Sequence, residues 1–354
     1  MSNVVRFLPA SLPAAPGRGR LAALVHSIAT NRRPEGDAYW MKENIELLSA
    51  LAASGRSPEP EALAPYRPFY DALPHRLAFF PQFYRLLLGM AVWLEAGGMD
   101  GDASARMARY ITQNRLPETE VNDLQRAETR VLLARAGAGG LDDDPDLTGR
   151  LIRFMSRPAF FALPNQRAAY DLTHAVFYLA DYGARRADLP PDALKSLENI
   201  GTQALLAEDS DLLAEVCLAL HYAGARAPAG WLEWLGRARL AIRVGPGDGT
   251  ETSDGYHNWL VNQWLSATIG GTAFDDIYRP GPMRFTVFKP ATSALSEMSQ
   301  TLLHMQDRRA DWSLMRGRVL AALSHAARQT LMLAESTSPD FPAVVRAVAR
   351  AGQV

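Results

Sequence analysis

HAVFYLADYG, residues 174–183, reads as the end of a buried helix closed by a glycine. Between His174 and Asp181 it carries no charge, and a helix apolar or neutral all round is a buried one. Glycine just past the last turn adopts the left-handed conformation without a Cβ clash, so it is the usual helix stop. The same phrase recurs five times: IELLSALAASG (45–55), GMAVWLEAGG (89–98), RVLLARAGAGG (130–140), CLALHYAG (217–224) and QWLSATIGG (263–271). The closing glycines Gly55, Gly98, Gly139, Gly183, Gly224 and Gly271 stand 43, 41, 44, 41 and 47 residues apart. A helix ending once per 40–47 residues or so indicates stacked helical hairpins.

Between the glycine-closed segments lie helices of another texture. Segments 102–114, 146–157, 190–208 and 229–242 put charges such as Arg106, Arg109, Arg150, Arg153, Glu233 and Arg237 beside aliphatic stripes. That pattern suits helices with one face in water. The segments 79–94, 165–182, 212–222 and 256–269 suit an inner ring. The expected fold is therefore all-α: six helical hairpins in a closed α/α toroid, with an open α-solenoid as the alternative. Residues 1–18 read as a flexible arm, 19–335 as one toroid domain and 336–354 as a C-terminal helix. Helices are expected at 293–306 and 310–335, sealing or capping the ring. Residues 272–292, with three prolines and a β-like run at 284–288, read as a long loop of the size that often serves a binding site.

Composition narrows the function. The 354 residues are 48% hydrophobic with a net charge of −1, and the lysines are Lys42, Lys195 and Lys289 alone. No bulk field invites nucleic acid, and no run of eighteen apolar residues spans a membrane. The single cysteine, Cys217, lies in an apolar run, which fits a reducing cytoplasm.

Two clusters carry candidate chemistry. On the helix over 165–182, Tyr170, His174, Tyr178 and Asp181 form one stripe, with Asp171 beside His174. A histidine near a carboxylate can act as general base, the acid fixing its tautomer. The structural alternative is a core polar network between helices. The second cluster, SDGYHNW (253–259), offers Ser253 or Asp254 as helix cap, then Tyr256, His257 and Asn258, with Asn262 one turn on. His257 stands 14 residues before Gly271 and Tyr170 stands 13 before Gly183, so both are expected near one rim. A metal on His174, His257 and an aspartate is conceivable from ligand types, but no HExxH or paired CxxC supports it, and metal and cofactor stay unassigned. Asp142-Asp143-Asp144-Pro145-Asp146 matches a DDxxD string, but Pro145 makes it a turn into a helix start.

At YDLTHAVFYLADYG (170–183) and DGYHNWLVNQW (254–264) the chain resembles an alphaproteobacterial family of unknown function, which supplies no activity. The six-hairpin pattern also loosely resembles α/α-toroid enzymes such as terpenoid cyclases and glycan-processing enzymes. The DxDD acid motif of the cyclases is missing, and a toroid hosts many chemistries. The expectation is a small-molecule ligand in a central funnel, with His174, Asp171, Asp181 and His257 as catalytic candidates. Tyr170, Tyr178, Tyr256, Asn258 and Asn262 are expected to line it. The alternative is a helical-repeat scaffold whose concave face binds a protein partner.

Overall fold

The computed structural model describes residues 18–139, 144–247, 254–276, 278, 281–287 and 290–350. The expected arm over 1–18 lies outside these residues except for Arg18, which opens the first helix. The described residues are almost entirely helical, and six hairpins follow one another. They are α1 (Arg18–Asn31) with α2 (Ala38–Ala53), α3 (Arg67–Phe79) with α4 (Tyr84–Ala96), and α5 (Ala103–Gln113) with α6 (Asp123–Arg135). Next come α7 (Leu147–Met155) and the short α8 (Pro158–Phe161) with α9 (Gln166–Leu179), α10 (Pro191–Leu206) with α11 (Ser210–Tyr222), and α12 (Ala229–Ala241) with α13 (Tyr256–Thr268). No described helix is long and apolar enough to cross a membrane.

The second helices of the hairpins touch in a circuit. α2 packs on α4, α4 on α6, α6 on α9, α9 on α11, α11 on α13, and α13 returns to α2. They all run the same way, because starts meet starts. Tyr84 reaches Thr129, Tyr170 reaches Asp211, Ser210 reaches Asn258, and the Tyr256 hydroxyl donates to the Glu43 carbonyl at 2.8 Å. Between them sit Trp93, Leu172, Val176, Leu213 and Leu218, all buried; a fully buried aliphatic of this size contributes about 1.5–3 kcal/mol. Among the first helices, α5 and α7 are amphipathic as expected. In α5, Ala103, Met107, Ala108 and Ile111 are buried while Arg106 and Arg109 are exposed.

The circuit is fastened where its ends meet. Arg32, buried just after α1, donates from Nε to Glu43 of α2 at 2.7 Å and from Nη1 to Asp254, ahead of α13, at 2.7 Å. Its guanidinium lies 4.4 Å over the Tyr256 ring.

Several boundaries differ from the sequence reading. Gly55, Gly98, Gly183 and Gly224 are left-handed as expected, but Gly137 and Gly270 take that role in place of Gly139 and Gly271. The segment 79–94 is not one helix. Phe79 ends α3, and Pro81, which disfavours a helical residue before it, turns the chain before α4. The stretch 310–335 is two helices, α15 (Trp312–Ala322) and α16 (His325–Thr337), parted at Ser324, whose side chain caps α16. With α14 (Ala294–His304) and α17 (Phe341–Ala349), α16 lies over α10, α15 packs on α14 and α17, and α16 also touches α12. α10 is therefore covered rather than wet, and Lys195 reaches Asp340 at 2.7 Å. A strand forms at β2 (Met283–Thr286), inside the expected loop, and pairs antiparallel with β1 (Arg243–Pro246), which was not foreseen.

Candidate functional site

Counting back from the left-handed glycines gives the inner helices a common register. Lys42, Arg85, Tyr170, Asp211 and His257 each stand thirteen residues before Gly55, Gly98, Gly183, Gly224 and Gly270 in turn. Glu46, Glu128, His174 and Glu215 stand nine before Gly55, Gly137, Gly183 and Gly224. Residues four apart on a helix share a face, so polar side chains stack in two tiers along the inside of the circuit. Ion pairs follow the tiers: Arg85 meets Glu128 at 2.5 Å, and Lys42 meets Glu46 at 3.2 Å.

The tiers concentrate chemistry where α9, α11, α13 and α2 converge. His257 Nδ1 lies 2.9 Å from both carboxylate oxygens of Asp211. On the other side of the ring, Nε2 stands 3.8 Å from Glu46 Oε1 and 3.9 Å from Glu215 Oε1. The Tyr170 hydroxyl donates to Asp211 at 3.3 Å, and Thr173 donates to Glu215 Oε2 at 2.5 Å. Burial pulls His257 down, but Asp211, Glu46 and Glu215 outweigh it and hold the imidazole up at about 10. Burial pushes the Glu215 carboxyl above its ordinary value, against the pull of His174 and His257. Burial and the carboxylates of Asp211, Asp209 and Glu215 likewise raise the Tyr170 phenol.

A cavity of about 650 Å³ opens onto this group. Tyr170, Asp211, His257 and Asn258 bound it on the helix side, and Phe285 with Val287 on the other. Two hydrogen bonds position the wall: Gly255 N–H donates to the Phe285 carbonyl at 2.8 Å, and Phe285 N–H to the Asp254 carboxylate at 3.2 Å. A Cβ on Gly255 would strike Val287. A second cleft of about 330 Å³ beside α6 is lined by Arg115, Arg126, Arg130 and Asp144. It contains no histidine, and Asp144 is already held by Arg126 and Arg150.

The candidates named from sequence separate cleanly. Tyr170, His174, Tyr178 and Tyr182 form a column of rings along α9 and its end, with centroids 6.4, 6.2 and 5.9 Å apart. Tyr170 and His257 meet at Asp211, and His174 Nδ1 faces the Tyr170 carbonyl at 2.9 Å. Asp181 is not with them. It is left-handed, past the far end of α9, and accepts from Arg135 at 2.6 Å. Asp171 makes no hydrogen bond or ion pair among the described residues, so it does not orient His174. Tyr256 is buried beneath Arg32 in the closing seam, away from the cavity. Asn258 lines the cavity and also donates to Ser210 at 2.8 Å, and Asn262 donates to the Asn258 carbonyl at 2.8 Å. Of the possible caps, Ser253 lies outside the described residues, and Asp254 accepts from Tyr256 N–H at 3.2 Å. Asp142 and Asp143 also lie outside them.

Sequence reading passed over Asp211, Glu215 and Glu46. One signal was present: in SDLLAEVCLALHY, Asp211 and Glu215 are four apart on an otherwise apolar inner helix.

Residues 1–351 match the family described as Domain of unknown function (DUF6902), and the chain belongs to it. No curated protein and no solved structure matches the chain.

Proposed function

We propose that the protein is a closed α/α toroid that binds a small polar molecule at the mouth of its central funnel and acts on it as an enzyme. One observation carries this reading: both oxygens of Asp211 hold His257 Nδ1, so that Nε2 points between Glu46 and Glu215 beside a cavity of about 650 Å³. A carboxylate fixing one imidazole nitrogen leaves the other for proton transfer or for ligation. Tyr170 and Phe285 give the cavity aromatic walls. Carboxylates accept strong charge-assisted hydrogen bonds from ammonium groups and good ones from hydroxyls. The ligand class supported is therefore an amine or a polyhydroxylated molecule.

Thermal-shift screening of chelator-treated protein against amines, sugars and polyols tests this, with Tyr170→Phe and Asn258→Ala screened alongside. The expected result is a saturable shift that weakens in both variants. If no compound of these classes shifts the protein, or the variants respond as wild type does, the site reading fails.

A second reading rests on a different observation. Phe79, Phe80 and Phe83 are exposed, in ring contact with one another, and lie just before α4 at the same end of the circuit as the cavity. Such a patch suits a protein partner. A soluble partner held by Phe79 and Phe83, with no small-molecule response, would favour the scaffold.

A further inference from the structure

We propose that the funnel mouth binds one divalent transition-metal ion. His257 Nε2 and Glu215 Oε1 hold it, Asp211 fixes the imidazole, and Glu46 closes the set from α2. This rests on the reading of the mouth as the site and deepens it by naming its cofactor class.

The geometry favours an ion over a hydrogen bond. Asp211, Glu215 and His257 each present a ligand atom within 4.8 Å of the other two. Nε2 is 3.8 Å from Glu46 Oε1 and 3.9 Å from Glu215 Oε1, beyond hydrogen-bonding range. Two ligand atoms each about 2.0–2.2 Å from one ion stand roughly 3–4 Å apart, so these separations match ligands of a shared ion. The Asp211 contact supplies the remaining part of a metal-bound histidine, since its second nitrogen almost always donates to a carboxylate or carbonyl.

Glu215 is the independent observation. It is 1% exposed on an otherwise apolar helix. Oε2 takes the Thr173 hydroxyl, and among the described residues no hydrogen bond is seen at Oε1, which faces Nε2. A buried carboxylate oxygen without a close donor is costly, and an ion that displaces the proton from Nε2 satisfies it. The oxygens of Glu46 and Glu215 with one imidazole nitrogen make a donor set with no sulfur, which suits Mn²⁺, Fe²⁺ or Zn²⁺ over soft ions.

Titration calorimetry of the full chain, stripped with chelator, with Mn²⁺ and separately Zn²⁺ tests the proposal. One equivalent is expected to bind saturably. Glu215→Gln and Asp211→Asn are expected to weaken it at least about tenfold, as loss of a ligand or of its orienting partner does. Asp181→Asn, remote from the site, is expected to bind as wild type. No saturable binding, or wild-type affinity in Glu215→Gln, overturns the proposal. Should Glu215→Gln not fold, Glu46→Gln takes its place, and wild-type affinity there counts against the site equally. If ion binding is absent while the chelated protein keeps its small-molecule shift, the ion proposal falls and the pocket stands. If both are absent, both fall.

Discussion

Arg32 and Asp254, 222 residues apart in sequence, share two hydrogen bonds of 2.7 and 2.5 Å. Glu43 takes the same guanidinium from the other side. Three hairpin elements from opposite ends of the chain thus depend on one buried cation. Breaking a buried pair leaves charge uncompensated and costs about 3–5 kcal/mol. Arg32→Met is expected to lose that much in urea unfolding. Arg318→Met, which breaks a solvent-exposed pair with Asp307, is expected to lose far less, because water screens an exposed pair. Equal losses would show that the seam has no special role.

The glycines make a sharper test of the register. Gly183 is left-handed, and a Cβ there would strike the Tyr222 ring. Gly137 is left-handed with open space, whereas Gly139 is not left-handed and its nearest neighbour is 3.8 Å away. Gly183→Ala is expected to be the most destabilising of the three and Gly137→Ala intermediate. Gly139→Ala is expected to be neutral or stabilising by about 0.4–1 kcal/mol through the unfolded chain. Melting temperatures rank them, and a Gly139→Ala loss as large as that of Gly137→Ala would contradict the assignment.

Gly201, inside α10, carries the opposite lesson. Alanine is the better helix former by about 1 kcal/mol, but a Cβ at this position would run into the Trp231 ring of α12. Overpacking costs about 1–3 kcal/mol, so Gly201→Ala is expected to destabilise. A raised melting temperature would mean that Trp231 moves aside freely.

Asp144 sets a pH dependence. Hydrogen bonds from Arg150, opposed by slight burial and helped by Arg126, hold its carboxyl down at about 2. A carboxyl lowered on folding stabilises above its unfolded pKa of about 3.9, and that contribution is lost as pH falls toward 2. Asp144→Asn is therefore expected to melt below wild type at pH 7, and the two curves should converge between pH 4 and 2. A gap unchanged at pH 2 would assign the effect to shape rather than charge.

Periodicity revealed the inner helices because each is buried along its own length, as 165–182 and 256–269 show. Neighbouring glycines hid the true stops: Gly137 and Gly270 are left-handed, whereas Gly139 and Gly271 are not. β1 carries a glycine and a proline in four residues, and its partner lies beyond α13, so no local pattern announces it. At the site, Tyr170 and His257 were readable as a pair through the repeat. Asp211, which joins them, was not, because the contact crosses between helices. Asp181 misled for the converse reason, since a stripe on a helix says nothing of which end its members occupy.

Six parallel inner helices also give the circuit a front and a back. Each helix end carries roughly half a unit charge, positive at the N-terminus and negative at the C-terminus. The front mouth, rimmed by N-terminal ends, bears Asp209, Asp211 and Glu46; the back, beside a cavity of about 550 Å³, bears Arg185, Arg186 and His221. Side chains thereby oppose the backbone's field at both openings. A net charge of −1 conceals this arrangement: Asp209 and Asp211 gather at one end of the circuit and Arg185 and Arg186 at the other, so a charged solute would meet a different local field at each end.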